Sequence, residues 1–198
     1  MGYRRIRPRK IPIKRDEEKA ENFKKNFKIL YENLDVWYFD ETGVEGDSPL
    51  RLVWCRGKQR KICYYSGTHI RESLLGAVNP KTGAFESLIM PYVDGNAFQY
   101  FLDYFNESLK GKIVMMVMDN ASWHKSKSLN WKNIIPVYIP PYSPDLNPIE
   151  VLWKVIKDRL YDPFPPKDNN ELQDRIQTIV RQLIDKPEEV KSICKVSY

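Results

Sequence analysis

The chain is organised around the stretch Tyr138-Ile-Pro-Pro-Tyr-Ser-Pro-Asp-Leu-Asn-Pro-Ile-Glu-Val-Leu-Trp153. Its prolines hold the backbone in turn and extended conformations, and apolar residues at helical spacing begin directly after the last proline. This pattern predicts a rigid turn that leads into a helix, with Glu150 in the first helical turn. Asn147 and Pro148 also fit a capping box, in which Glu150 would only bond the backbone amide of Asn147. Spacing alone leaves both roles of Glu150 open.

Two further acids stand beside apolar runs that predict strands. The segment Asp35-Val-Trp-Tyr-Phe-Asp40-Glu41 is rich in aromatic residues and ends in two acids. Residues 113–118 are apolar without alternation, which is typical of a central strand covered on both faces, and Asp119 follows them. Ligands of open α/β sheets collect at the carboxyl ends of such strands. A solvated acid pair at Asp40 and a turn cap at Asp119 are the structural alternatives.

The other elements follow from hydrophobic periodicity. Helices are predicted at about residues 16–30, at 96–109 with Asn96 as N-cap, at 149–160, and at about 170–184. Strands are predicted at residues 52–55, 62–65, 73–78, 84–90 and 134–139, with 79–83 as a hairpin loop. This order of elements predicts an α/β fold with a mixed sheet and helices on both faces.

Composition narrows the class of protein. The 198 residues, 42% of them hydrophobic, suit one domain with an ample core. The sequence has no run of 18 apolar residues and no apolar N-terminal segment, so we expect no membrane span and no signal peptide, and a cytoplasmic, nucleoid-associated protein. The three cysteines are scattered, which predicts neither disulfides nor a zinc site.

The net charge of +6 is concentrated at the N-terminus. Residues 1–15 form a basic arm with seven Arg or Lys residues and no acid, so the rest of the chain is close to neutral. Such an arm commonly follows a phosphate backbone, although a solvated linker has the same composition. DNA contacts are predicted for Arg4, Arg5, Arg7, Arg9 and Lys10 in the arm, and for Arg56, Lys58 and Arg60 in a basic turn.

Three carboxylates that meet repel one another unless cations neutralise them. Hard oxygen ligands suit Mg²⁺ or Mn²⁺, and two ions about 3.5–4 Å apart can activate a hydroxyl and stabilise the leaving oxygen of a phosphodiester. Asp40, Asp119 and Glu150 therefore predict a two-metal site for phosphoryl transfer on nucleic acid. Lys154 and Lys157 follow Glu150 at helical spacing, where a backbone phosphate could reach them.

Four motifs resemble the signature blocks of the DDE transposases of the mariner-like superfamily, in particular the bacterial insertion-sequence branch. They are Asp40-Glu-Thr-Gly43, Leu75-Gly-Ala-Val78, Met118-Asp-Asn-Ala-Ser-Trp-His-Lys-Ser126 and Pro140-Pro-Tyr-Ser-Pro-Asp-Leu-Asn-Pro-Ile-Glu-Val-Leu-Trp153. The last block is long and specific, and the match keeps the right order over roughly residues 35–160. The resemblance implies a ribonuclease-H-like fold with a mixed five-stranded sheet, as a DDE catalytic domain over residues 16–198.

The resemblance also implies roles for individual residues. Asp40, Asp119 and Glu150 match the catalytic triad, which binds two Mg²⁺ or Mn²⁺ ions. Four further residues match motif positions that support the triad, namely Glu41, Asn120, His124 and Asp145. The implied reaction is cleavage at transposon ends and joining of the freed 3′-hydroxyl to target DNA at a TA dinucleotide, by a homodimer assembled on DNA.

Two departures from the family pattern shape the expectations. The 30 residues between Asp119 and Glu150 are slightly fewer than usual, which predicts a trimmed loop near Asn130. The N-terminal helix-turn-helix region of the family is expected to be absent here, as the result of a frameshift, an internal start or decay. A separately encoded helix-turn-helix segment is the partner expected to supply it. A catalytically silent DNA-binding partner, and a ribonuclease-H-like nuclease that hydrolyses without joining, are the alternative functions.

Overall fold

The computed structural model describes residues 12–47, 62, 64–67, 69–160 and 164–196. The strand predicted at residues 52–55 lies outside these ranges. Ile62, Tyr64 and Tyr65 belong to no strand, so the strand predicted at 62–65 is wrong for its described residues. No helix in the described ranges is long and apolar enough to cross a membrane.

A mixed five-stranded sheet forms the centre of the protein. Its strands are β1 (Val36–Glu45), β2 (Arg71–Val78), β3 (Phe85–Met90), β4 (Val114–Met118) and β5 (Ile134–Tyr138). They lie in the order β3-β2-β1-β4-β5, with antiparallel pairing from β3 to β1 and parallel pairing from β1 to β5. The mixed sheet predicted from the sequence is confirmed.

Helices cover both faces of this sheet. They are α1 (Glu17–Asn33), α2 (Gly95–Ser108), α3 (Ile149–Leu160), α4 (Asn169–Ile184) and α5 (Pro187–Ile193). Alternate residues of β1 enter two separate cores: Tyr38 packs with α3 and α4, whereas Phe39 packs with α2. The predicted helical layers are therefore confirmed, while α5 was not predicted.

Strand β1 does not end at its two acids, as the sequence had suggested. It continues to Glu45, because the segment from Asp40 onward pairs with Gly76 through Arg71 of β2. Its parallel partner β4 pairs only with the segment from Val36 to Tyr38. Asp40 thus lies within a paired strand, just beyond the point where β4 stops.

Helix α2 begins two residues earlier than predicted. Asp94, and not Asn96, is the N-cap, since its backbone is extended and its Oδ1 accepts a 2.8 Å hydrogen bond from the amide of Ala97. The predicted hairpin loop between β2 and β3 is present. It closes with Gly83, at a φ of +75°, where an added Cβ would lie 2.0 Å from the carbonyl oxygen of Pro187 at the start of α5.

Candidate active site

Three carboxylates from three separate elements line one open cavity. Asp40 lies in β1, Asp119 directly follows β4, and Glu150 lies in the first turn of α3. The cavity has a volume of about 380 Å³, and residues 139–144 of the proline-rich turn form much of its wall. Parallel pairing of β1 with β4, and packing of α3 on the same sheet, bring these distant acids to one place.

Asp40 is held by Trp153 of α3. The indole Nε1 of Trp153 donates a 3.0 Å hydrogen bond to Oδ2 of Asp40. The buried ring can lie against the sheet because Gly76, opposite Asp40 in β2, has no side chain. A Cβ atom at Gly76 would lie 2.6 Å from Cη2 of Trp153, which is far inside van der Waals contact. Motif spacing gave no sign of this role for Gly76.

Asn147 ties the start of α3 to β1. Its buried Nδ2 donates a 2.9 Å hydrogen bond to the carbonyl oxygen of Phe39, the residue before Asp40. Its backbone amide donates to the carbonyl oxygen of Pro144, at 2.9 Å, so the capping box considered for Glu150 is not formed. Within the described part of the chain, no group donates a hydrogen bond to the Glu150 carboxylate.

Burial and neighbouring acids raise the pKa values of Asp40 and Glu150. Burial and the nearby charges of Glu150 and Glu41 raise the pKa of Asp40 to about 8. Burial also raises the pKa of Glu150, against the opposing charge of Lys157. Without a cation in the cavity, Asp40 is therefore mostly protonated at neutral pH.

His124 links Asp119 to Glu41 beneath the cavity. Its ring is fully buried, with Nε2 at 2.9 Å from Oε1 of Glu41. Nδ1 lies 2.9 Å from Oδ1 of Asp119 without the geometry of a directed hydrogen bond, so this contact is an ion pair. Burial alone would lower the pKa of His124, but Asp119 and Glu41 outweigh it and raise the pKa to about 9. His124 is therefore an imidazolium at neutral pH, and its contact lowers the pKa of Asp119.

The sequence profile of one family covers most of the chain. The family described as DDE superfamily endonuclease matches residues 35–173. This chain belongs to that family. All three acids of the cavity fall within the matched residues.

Two relatives place this DDE endonuclease among bacterial sequences. It is 31% identical over 122 residues to the uncharacterized protein y4pE/y4sA of Sinorhizobium fredii (strain NBRC 101917 / NGR234), covering 61% of this chain and 90% of that protein. It is 26% identical over 156 residues to the insertion element IS630 uncharacterized 39 kDa protein of Shigella sonnei, covering 74% of this chain and 45% of that protein. The resemblance to the insertion-sequence branch of DDE transposases is confirmed by these matches.

Solved structures of Mos1 transposase share the fold of this DDE endonuclease. A paired-end complex with the left transposon end matches with a TM-score of 0.63 and 18% identity, over 98% of this chain and 68% of that one. A paired-end complex with Mg matches with a TM-score of 0.64 and 18% identity, over 100% and 69%. The predicted ribonuclease-H-like fold is confirmed.

The acids of this DDE endonuclease share a cavity without forming a tight cluster. Within the ranges given above, no three acidic, histidine or cysteine side chains are grouped closely enough to hold a metal ion. Asp119 is held back by His124 and by the backbone amide of Ala121, which donates to its Oδ1 at 2.9 Å. Joint binding of one cation by Asp40, Asp119 and Glu150 would therefore require their carboxylates to come closer together.

Of the two lysines predicted beside the acids, Lys157 is the one that contacts the site. Its Nζ donates a 2.7 Å hydrogen bond to Oγ1 of Thr42, next to the charges of Glu150 and Asp40. Burial lowers the pKa of Lys157, while those two acids oppose the shift. Lys154 lies exposed on the same helix.

Two further residues predicted to support the site, Asn120 and Asp145, form hydrogen bonds between its loops. The side-chain amide of Asn120 donates to the carbonyl oxygen of Ile139, which joins the ends of β4 and β5. Asp145 accepts hydrogen bonds from the guanidinium of Arg15, including a 3.2 Å bond from Nη2. The Arg15 side chain is only 4% exposed, and its pairing with Asp145 was not predicted. The candidate DNA contacts Arg4, Arg5, Arg7, Arg9, Lys10, Arg56, Lys58 and Arg60 lie outside the described residues.

Proposed function

We propose that this chain is the catalytic domain of a transposase, which cuts DNA at transposon ends and joins the freed 3′-hydroxyl to target DNA. The observation that carries this proposal is the placement of Asp40, Asp119 and Glu150, from three elements, around one open cavity. The family match and the shared fold with Mos1 transposase in its transposon-end complex support the same reaction. The Shigella relative, of which this chain spans 45%, supports an insertion element as its source.

The donor set of the cavity fits divalent cations. Three carboxylates supply only hard oxygen atoms, and burial together with the charges of Glu150 and Glu41 raises the pKa of Asp40, which a bound cation would offset. In the proposal, Asp40, Asp119 and Glu150 would hold two Mg²⁺ or Mn²⁺ ions, and Mos1 transposase has been solved with either metal. When bound, such ions activate the attacking water or hydroxyl and stabilise the leaving oxygen.

The residues around the acids position them for this reaction. Trp153 orients the Asp40 carboxylate, and Asn147 fixes the start of the helix that carries Glu150. His124 holds the Asp119 carboxylate at one side of the cavity by charge. Because both ring nitrogens of His124 already lie 2.9 Å from a carboxylate oxygen, we assign His124 to holding Asp119 and not to proton transfer.

The proposed partners follow from the same reaction. They are transposon-end DNA, target DNA cut at a TA dinucleotide, a second copy of the chain on that DNA, and a separately encoded helix-turn-helix segment. The basic arm at residues 1–15 leads into Arg15, which is fixed to Asp145 beside the cavity wall. Arg15, the last residue of the arm, thus lies near the acids, and in the proposal a DNA backbone passes there.

Cleavage of labelled DNA tests the proposal. A duplex carrying the ends of the encoding element is incubated with the chain and Mg²⁺ or Mn²⁺, and the products are separated by length. We expect Asp119→Asn and Glu150→Gln each to reduce cleavage by at least about 100-fold. Asp103→Asn is the matched control, because Asp103 is 46% exposed and paired with Lys132, much as Asp119 is 51% exposed and paired with His124. Equal cleavage by the parent and Asp119→Asn would refute the triad.

The products also separate the alternative functions. Joined strands of recombinant length support transposition, whereas hydrolysed ends without joining indicate a ribonuclease-H-like nuclease. DNA binding with a steep salt dependence and no cleavage, even with an added recognition domain, indicates a catalytically silent partner.

A further inference from the structure

A second open cavity adjoins the first at Asp40 and Asp119. It has a volume of about 570 Å³ and lies beside β1, β2 and the turn that follows β3. Both cavities are lined by these two acids, so an elongated molecule in one continues past the carboxylates into the other. We call the second cavity the aromatic groove and define it by Arg71, Tyr92 and Trp123.

The aromatic groove presents two large rings to water. Tyr92 is 65% exposed on the turn after β3, and Trp123 is 40% exposed in the segment after β4. Exposed rings beside a concave path are the usual platforms on which unpaired nucleic-acid bases stack. The indole Nε1 of Trp123 donates a 2.9 Å hydrogen bond to Oε1 of Glu41, which fixes the direction of this ring. Tyr92 and Trp123 therefore provide stacking surfaces within the same cavity as two of the acids.

Arg71 adds positive charge to the aromatic groove. Its guanidinium lies over Gly43 of the neighbouring strand, where an added Cβ would be 2.8 Å from Nη2. The side chain is exposed, and its charge also acts on Lys157 beside the acids. A guanidinium in this position can bind a phosphate while the adjacent rings bind bases.

Resting on the function proposed above, we propose that the aromatic groove binds unpaired nucleotides of the DNA strand whose phosphate lies at the acids. Within a duplex, neighbouring base pairs cover both faces of every internal base, so an unpaired base is more accessible for stacking on Tyr92 or Trp123. Arg71 takes a phosphate of the same strand, and Asp40 and Asp119 would hold the cations that offset the negative charge of that strand. The combination of rings, arginine and acids complements a single nucleic-acid strand.

Binding to two labelled duplexes measures this preference. One duplex is blunt, and the other has the same paired length with about five unpaired nucleotides at its 3′ end. Fluorescence anisotropy with Ca²⁺ in place of Mg²⁺ gives the ratio of the two dissociation constants. We expect the parent to bind the overhang at least about five-fold more tightly, in line with the stacking of one base.

Variants of exposed tyrosines test whether the aromatic groove causes the preference for the overhang duplex. Tyr92→Ala is expected to abolish the preference, whereas Tyr92→Phe keeps the ring and retains it. Tyr100→Ala is the matched control, because Tyr100 is 63% exposed on α2 and does not line the groove. Gly43→Ala displaces only the flexible end of Arg71 and is expected to weaken binding of both duplexes by removing a phosphate contact.

The outcomes separate this inference from the proposed function. A parent that shows no overhang preference, or a Tyr92→Ala variant that behaves like Tyr100→Ala, overturns the groove assignment even if the chain cleaves DNA. A preference that depends on Tyr92 supports the groove even if no cleavage is found, in which case only the proposed reaction fails. Circular dichroism spectra equal to that of the parent exclude misfolding of the variants.

Discussion

The indole of Trp153 on α3 donates a hydrogen bond to Asp40 in the interior of β1, across 113 positions of sequence. This bond stabilises the charged form of Asp40, against the burial and the acidic neighbours that raise its pKa to about 8. Trp153 is thus both a core residue, 2% exposed, and the group that orients an acid of the candidate site.

Replacing Trp153 by phenylalanine should impair activity more than stability. The Trp153→Phe variant keeps an aromatic ring in the core but loses the hydrogen bond to Asp40, and we expect cleavage to fall about ten-fold with a higher requirement for Mg²⁺. Trp37→Phe is the control, because the buried Nε1 of Trp37 has no hydrogen-bond partner among the residues that the structure describes. Cleavage rates over a Mg²⁺ series provide the measurement, and equal losses in both variants would contradict the role of Trp153.

Binding of Mg²⁺ should tighten as the pH rises toward 8. The pKa of Asp40 is raised in the folded protein, to about 8, so its contribution to stability is complete below the unfolded pKa of about 3.9 and is lost as the pH rises through the folded value. A bound cation favours the charged carboxylate. The increase in melting temperature on adding Mg²⁺ should therefore be larger at pH 8.5 than at pH 6. Asp40→Asn should remove this difference, and Asp103→Asn should leave it unchanged.

His124 should stabilise the fold as an imidazolium. Loss of its contacts in His124→Gln is expected to reduce the free energy of unfolding by about 2 kcal/mol at pH 6. Because the folded pKa is raised to about 9, this contribution is complete below the unfolded pKa of about 6.5 and is lost as the pH rises through 9. Urea unfolding of both proteins from pH 6 to 10 tests this, and a constant difference across that range would argue against a charged ring.

Two glycines with similar backbone angles should differ in their tolerance of a side chain. Gly83 and Gly111 have φ values of +75° and +84°, but an added Cβ meets the backbone of Pro187 only at Gly83. We expect Gly111→Ala to cost about 1 kcal/mol from backbone strain, and Gly83→Ala to cost at least about 1 kcal/mol more, because α5 must shift. Thermal unfolding of both variants gives the comparison, in which equal losses would mean that α5 moves freely.

The sequence predicted the elements of the fold better than the contacts between them. The buried run of β4 and the hairpin of β2 and β3 carry local signals, namely unbroken apolar residues and a turn with glycine. The length of β1 has no local signal, because Asp40 and the residues after it resemble a turn and become a strand only by pairing with β2. The N-cap of α2 was misplaced by two residues, since Asp94 and Asn96 are both good caps.

The supporting contacts of the site could not be predicted for a similar reason. Asn147 bonds Phe39 across 108 positions, and Arg15 pairs with Asp145 across 130. Neither pair has a spacing that periodicity can detect. The motifs identified the three acids of the candidate site, whereas the residues that bond to those acids and to their helix are known only from the structure.

Asp40 is held more firmly than the other two acids of the candidate site, because both its backbone and its side chain are bonded. The backbone of Asp40 is paired with β2, and its carboxylate accepts a hydrogen bond from the indole of Trp153. Asp119 follows the end of its strand, and Glu150 sits in the first turn of its helix. If a cation binds at this site, we therefore expect Asp40 to keep its position, and Asp119 and Glu150 to be the acids that adjust.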